Sequence, residues 1–241
     1  MKFILFVLSL LCFSYDFIAV AQREKPDLFS LEAKSELINQ LNKYSKNGQF
    51  DLVIKGLVPV VNAYLQGKEL KAYQFHVVTN HNMLFPAAIS RVSNGDFLIF
   101  LNAKRFERSI QVGIYKQEEI EQAKIICLFH ELVHGWQIKN IPRQQRSTFK
   151  MEGHAVFIQG IFAKDFGIEQ INLKGIKAFA EPRKISFVTE QSIFKSWLIK
   201  KYVDYFYLSS RRVMAKAFES ANLKSPHRLN YASLKFFSRV K

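Results

Sequence analysis

The residues of this chain with the clearest capacity for chemistry are His130, Glu131 and His134, which form a His-Glu-x-x-His run. Two histidines four residues apart lie on the same face of a helix, so both imidazoles can bind one metal ion. A glutamate between them can accept a proton from a water molecule on that metal. The run therefore predicts a catalytic zinc site, with His130 and His134 as ligands and Glu131 as general base.

The sequence around this run predicts that it lies in a long core helix. Acidic residues come first, at Glu118, Glu119 and Glu121, and mainly apolar residues follow over 125–133. Acidic side chains are favourable at the amino end of a helix, and apolar residues at helical spacing indicate a buried face. Two core histidines without a metal are the alternative, but a buried charged Glu131 between them would then need its own partner.

A hydrolytic zinc site has three protein ligands and leaves one position for water, so a third ligand is expected downstream. A second helix is predicted over residues 149–166, with Ser147 or Thr148 as its amino-terminal cap. This helix carries Glu152 and His154, which point about 200° apart around a regular helix. Only one of them can face the metal, and the spacing does not choose between them.

The second helix contains Glu152, Gly153 and Ala155 in a Glu-Gly-x-Ala pattern, and with it the chain resembles the gluzincins, the thermolysin-like zinc peptidases. In that family the second helix supplies a glutamate ligand. The resemblance therefore implies Glu152 as the third ligand, and it leaves His154 to a supporting or structural role. It also implies that Gly153 lets the two helices approach closely enough to share the metal.

The chain departs from related patterns at three positions. Thermolysin has an aspartate four residues after the ligand glutamate that steadies a ligand histidine, and that position is Val156 here. Another residue must therefore orient the histidine ligands. The metzincin branch of the zincins fits less well, because it requires glycine and histidine where this chain has Gln137 and Asn140.

Hydrolysis builds negative charge on the carbonyl oxygen, so a hydrogen-bond donor is needed near it. Residues 192–208 predict a further helix, which is similar to a late helix of some bacterial gluzincin-like proteins with the pattern Tyr-x-x-Gly-x-x-Phe. Tyr202 matches the tyrosine and is the first candidate donor, although Tyr205 replaces the glycine. Tyr205 and His227 are further candidates. Ordinary packing of these tyrosines is the alternative reading.

Three apolar segments before the zinc helix predict a small sheet. They cover residues 73–79, 85–92 and 96–101, and Asn94-Gly95 between the last two is typical of a hairpin turn. Gluzincins have such a sheet, and its edge strand pairs with an extended peptide. The predicted fold is therefore α+β and mainly helical, a zincin-like domain with this sheet before the His-Glu-x-x-His helix.

Two further helices are predicted before the sheet. Ser30 can cap the first, and Gly48 can end it. The second begins near Asp51 and is expected to be interrupted by Pro59, which cannot donate a helical hydrogen bond. Neither helix carries recognisable chemistry.

Residues 1–21 predict a signal peptide. A short apolar run follows Lys2, and a small-x-small cleavage site ends at Ala21. Asp16 interrupts the apolar run short of the roughly 20 residues that a membrane-spanning helix needs. We therefore expect an exported protein, periplasmic or secreted, in which residues 22–241 form one domain.

Cleavage after Ala21 would leave Cys127 as the single cysteine, which excludes an intramolecular disulfide. Cys127 precedes His130 by three residues and lies on the same side of the helix. A fourth ligand there would close the site and favour structural zinc, whereas a small apolar core residue is the alternative.

The net charge of +15 is the other global feature. A basic surface attracts anionic lipid, acidic wall polymers or nucleic acid. For an exported protein the expected partner is an anionic envelope surface. Nucleic acid is disfavoured because no nucleic-acid motif accompanies the charge, and a solvated basic surface also explains it.

These observations predict an exported zinc metallopeptidase that hydrolyses a peptide or protein substrate through a zinc-bound water, with Glu131 as general base. The alternative is a non-catalytic basic module on a zinc-peptidase scaffold that binds anionic envelope components. The presence of Glu131 favours the enzyme, because a structural zinc site needs no general base.

Overall fold

The computed structural model describes residues 30–80, 83, 85–180, 233 and 236–238, with the side chains of 177–180 excepted. This part of the chain is α+β and mainly helical, as predicted. Its elements are α1 (Leu31–Lys46), α2 (Phe50–Tyr64), β1 (Phe75–Thr79), β2 (Ala87–Arg91), β3 (Phe97–Leu101), α3 (Ala103–Gln111), α4 (Ile120–Asn140), α5 (Thr148–Asp165) and α6 (Glu169–Ala180). No helix in these ranges is long and apolar enough to cross a membrane.

The two amino-terminal helices form where the sequence indicates, with one correction. The Ser30 side chain accepts a hydrogen bond from the backbone N–H of Ala33 at 3.2 Å and caps α1, and Gly48 follows the end of α1 with a φ of 70°. The expected interruption of α2 at Pro59 was wrong, because α2 continues to Tyr64. The proline nitrogen carries no hydrogen and cannot bond the carbonyl of Lys55, one turn earlier. Both residues are exposed, so water can bond this carbonyl instead.

The sheet has the strand order β1-β3-β2. β2 and β3 form the predicted antiparallel hairpin, in which Gly95 has a φ of 94° and donates to the carbonyl of Val92 at 3.0 Å. β1 pairs with β3 in parallel, so β2 lies at one edge of the sheet.

Helix α4 lies at the centre of the fold, between the sheet and the other helices. Its residues Phe129, Leu132 and Trp136 are fully buried, and the Phe129 ring stacks on Phe162 of α5 with ring centroids 4.0 Å apart. A Cβ atom at Gly135 would lie 2.7 Å from Cε1 of Phe75, so only glycine lets α4 pack this closely on the sheet. The helix that carries the His-Glu-x-x-His run is therefore held from several sides.

Candidate metal centre

Helices α4 and α5 bring His130, His134 and Glu152 together into a group able to hold a metal ion, with ligand atoms within 4.8 Å of one another. Oε2 of Glu152 lies 3.3 Å from Nε2 of His130 and 3.5 Å from Nε2 of His134. A tetrahedral zinc ion with bonds of about 2.0–2.1 Å separates its ligand atoms by about 3.3–3.4 Å. The two nitrogen–oxygen distances therefore agree with the separation of ligand atoms around a tetrahedral zinc ion, and histidine nitrogen and carboxylate oxygen are atoms that zinc binds.

The position of Glu152 follows from the way α5 begins. The Ser147 side chain accepts a hydrogen bond from the backbone N–H of Lys150 at 3.3 Å and caps the helix, so Glu152 lies in the second turn. A short turn joins α4 to α5, which makes the two helices neighbours. Gly153 is buried, and its proposed role in close helix packing stays a prediction.

A chain of directed hydrogen bonds orients His134. The amide nitrogen of Gln137 donates to the carbonyl of Met151 at 2.8 Å, which fixes the Gln137 oxygen toward Nδ1 of His134 at 2.7 Å. Nδ1 of His134 must then carry a proton, so Nε2 is the nitrogen that faces the metal position and binds a metal once it has lost its own proton. Gln137 also donates to Nδ1 of His154 at 2.9 Å, so Nε2 of His154 donates to the Ser233 hydroxyl at 2.8 Å.

His154 therefore supports the site from outside the ligand group. Its imidazole is fully buried and stacks on Trp136, with ring centroids 5.7 Å apart. Burial, together with the positive charge of His134, lowers the pKa of His154 to about 3. A neutral His154 agrees with the hydrogen bond that its Nδ1 accepts from Gln137.

His130 has an equivalent support on α5. Its Nδ1 lies 2.8 Å from Oε1 of Gln159, whose amide nitrogen donates to Asn172 of α6. This is the arrangement that leaves Nε2 of His130 available to a metal. Val156, at the position of the thermolysin aspartate, is buried and lines a cavity instead.

Sequence reasoning missed both glutamines, although a signal for each was present. Gln137 follows His134 by three residues, and Gln159 follows Glu152 by seven, so each shares a helical face with a ligand. Asn172 had no such signal, because its contact depends on how α6 packs against α5.

The carboxylates of the centre have opposite pKa shifts. Burial raises the pKa of Glu131, and the positive charges of His134 and His130 and a hydrogen bond from the backbone N–H of Ile89 oppose this rise. Burial also tends to raise the pKa of Glu152, but the positive charges and hydrogen bonds of the two histidines have the larger effect. They hold the pKa of Glu152 well below its usual range. In return, the Glu152 carboxylate overcomes the effect of burial on His134 and raises the pKa of that imidazole to about 9.

A cavity of about 80 Å³ opens beside His130 and Glu131. Its walls come from the start of β2 and from α3, α4, α5 and α6, and they are largely apolar. Arg105 and Tyr115 contribute polar groups to the wall, and sequence reasoning singled out neither.

Cys127 also lines this cavity and lies outside the group of ligand atoms found among the described residues. Burial raises the pKa of its thiol to about 12, with the charge of Glu131 adding to the effect. The position of Cys127 outside the ligand group agrees with a packing role. Tyr202, Tyr205, His227 and the predicted signal peptide lie outside the described residues.

No family model, curated protein or solved structure matches the chain. The resemblance to gluzincins therefore depends on the residues of α4 and α5.

Proposed function

We propose that the protein is an exported zinc metallopeptidase with a zincin-like fold, which hydrolyses peptide bonds. The observation that supports this most strongly is the position of Glu131, a buried glutamate with a raised pKa beside a group of three ligands. Three protein ligands leave a position for a reacting water, whereas structural zinc sites have four. When bound by His130, His134 and Glu152, zinc would supply Lewis acidity to the scissile carbonyl and to the attacking water.

Glu131 has the properties of a general base and acid. Its carboxylate accepts the proton of the attacking water and then gives it to the leaving nitrogen. A raised pKa suits both steps, because the group must also act as a donor near neutral pH. The hydrogen bond from Ile89 holds the carboxylate beside β2, and burial keeps bulk water away from it.

The edge strand β2 and the cavity support a peptide substrate. Among the described strands β2 pairs only with β3, and an extended peptide can add to such an edge by backbone hydrogen bonds. The cavity of about 80 Å³ is roughly half the 150 Å³ that accommodates benzene. We therefore expect it to take a branched aliphatic side chain next to the scissile bond in preference to an aromatic one.

Glu131→Gln tests the proposal most directly. The mature wild type and this variant are assayed for zinc content and for cleavage of a mixed peptide library. We expect one zinc per chain in both, with cleavage only by the wild type. Glu36→Gln, the same change at an exposed residue of α1, is the matched control and should cleave normally.

Other outcomes of this experiment assign different functions. Zinc in both proteins without cleavage by either would favour the basic binding module, for which the net charge of +15 is the supporting observation. Absence of zinc would overturn the assignment of His130, His134 and Glu152 as zinc ligands. Tyr202→Phe tests the predicted oxyanion donor, and we expect a loss of about 10²–10³ in kcat with unchanged zinc content.

A further inference from the structure

This inference depends on the proposed peptidase activity and names a substrate class for it. We infer that a basic surface at the carboxyl end of α4 selects peptides with acidic side chains on one side of the scissile bond. The members of this surface, here called the α4-end surface, are Lys68, Lys71, Arg91, Lys139, Arg143 and Arg146.

Hydrogen bonds bring three chain segments together at this surface. The backbone N–H of Lys68 donates to Oδ1 of Asn140 at 2.6 Å, and Nζ of Lys139 donates to the carbonyl of Glu69 at 2.8 Å. These bonds fix the loop before β1 against the end of α4. The Arg146 guanidinium donates to two carbonyl oxygens at the end of α4, both at 2.7 Å, and so fixes the segment before α5.

Two members of the surface are accounted for by the helix itself. Lys139 and Arg146 lie where the negative end of the helix dipole favours cations. The other four members are exposed, and in the described structure their side chains do not bond the end of the helix. They are Lys68, Lys71, Arg91 and Arg143. Their charge therefore exceeds what capping of α4 requires.

The cations of the α4-end surface repel one another. Burial lowers the pKa of Lys139 and of Arg146, and neighbouring cations lower both further, with Arg91 acting on each. In the described part of the chain, Glu69 is the one carboxylate that forms an ion pair with a member, at 3.1 Å from Lys71, and both side chains are more than half exposed. An added anion would relieve this repulsion.

Strand β2 connects the catalytic centre to the α4-end surface. Its first residue, Ala87, lines the cavity, its middle residue, Ile89, bonds Glu131, and its last residue, Arg91, belongs to the surface. At about 3.3 Å per residue, β2 spans roughly 13 Å between Ala87 and Arg91. A peptide paired with β2 therefore places the apolar side chain that enters the cavity at the Ala87 end. Its residues two to four positions from the scissile bond, in the other direction, reach the α4-end surface.

Peptide pairs that differ in one residue test this inference on the zinc-loaded, full mature protein. In each pair, one peptide carries Asp and the other carries Asn at the same position. This position lies two to four residues from the scissile bond, on one side of the bond or on the other. We expect kcat/KM to be about two- to fivefold higher for Asp, only on the side opposite the apolar residue, and the ratio to fall as salt is added.

The double variant Arg91→Glu/Arg143→Glu should lower this ratio toward one, because four cations of the surface remain beside the two new carboxylates, while zinc content and circular dichroism stay as in the wild type. Lys55→Glu/Lys104→Glu is the matched control, because it changes the same charge at two exposed residues of α2 and α3. We expect the control to keep the wild-type ratio.

Two results would overturn this inference alone. Equal cleavage of the Asp and Asn peptides by the wild type excludes selection of acidic residues, and so does an unchanged ratio in Arg91→Glu/Arg143→Glu. Loss of binding to anionic lipid vesicles by this variant, with an unchanged ratio, would assign the surface to membranes. Cleavage of the Asn peptides tests the peptidase activity separately, and absence of cleavage of every peptide overturns both proposals.

Discussion

Zinc uptake should release about one proton from His134 at pH 7. Burial disfavours the charged imidazole, but Glu152, with Oε2 at 3.5 Å from Nε2 of His134, raises the pKa to about 9. A group with this pKa is about 99% protonated at pH 7 and about 10% protonated at pH 10. Nε2 must lose its proton before it binds a metal, so the release from His134 should fall to about 0.1 proton at pH 10.

The apparent zinc affinity should therefore rise about tenfold per pH unit from pH 7 to pH 9 and then level off. Glu152 adds no proton in this range, because its pKa lies well below the usual value. Isothermal titration calorimetry in buffers of different ionisation enthalpy measures the number of protons released. Competition with a chelator at each pH measures the affinity.

NMR titration of the metal-free protein identifies the cause of the shift. Glu152→Gln removes the carboxylate, so burial is less opposed and the pKa of His134 should fall. Glu36→Gln removes one exposed carboxylate and should leave that pKa unchanged. A release below about half a proton at pH 7, or an affinity independent of pH, would refute the charged pair of His134 and Glu152.

Three further predictions concern the support of the centre. Gln137→Ala should lower zinc affinity about 10–100-fold in chelator competition, because His134 loses the acceptor at its Nδ1, and an unchanged affinity would contradict that role. Gly135→Ala should lower the free energy of unfolding in urea by about 1–3 kcal/mol, since its Cβ would lie 2.7 Å from Phe75, and no loss would argue against this close packing. The metal-free protein should lose thermal stability as pH rises from 6.5 to about 9, because the folded pKa of His134 exceeds the unfolded value and the stabilising proton is lost in that window. Melting temperatures of the metal-free protein that stay constant over this window would contradict the last prediction.

Features that depend on local hydrogen bonds were predictable from the sequence. Ser30 and Ser147 cap α1 and α5 because a short hydroxyl side chain can accept the backbone N–H three residues later. The hairpin turn at Gly95 requires a positive φ, which glycine adopts without strain. The grouping of His130 and His134 likewise follows from their four-residue separation on one helix, which places both on the same face.

Features that depend on contacts between distant segments were not predictable in the same way. The parallel pairing of β1 with β3 has no local signature, because β2 lies between the two strands along the chain. Pro59 in α2 shows the same limit, since apolar packing of the helix outweighs one lost hydrogen bond on its exposed side. Choosing Glu152 over His154 as the ligand needed the family resemblance before the structure, because both residues occupy the same helix.

Val156 occupies the position at which the resemblance to gluzincins implies an aspartate, and a polar side chain that orients His130 lies one helical turn later. Gln159 follows Val156 by three residues and shares its helical face, and its longer side chain reaches Nδ1 of His130 at 2.8 Å. Val156 also adds no charge to the buried centre. With a divalent ion bound, the carboxylates of Glu131 and Glu152 would balance its two positive charges, and a third carboxylate would leave a net negative charge with a large desolvation cost. Neutral amides at Gln137 and Gln159 orient both histidines without that cost, so an aspartate at position 156 is not required for a buried centre of this type.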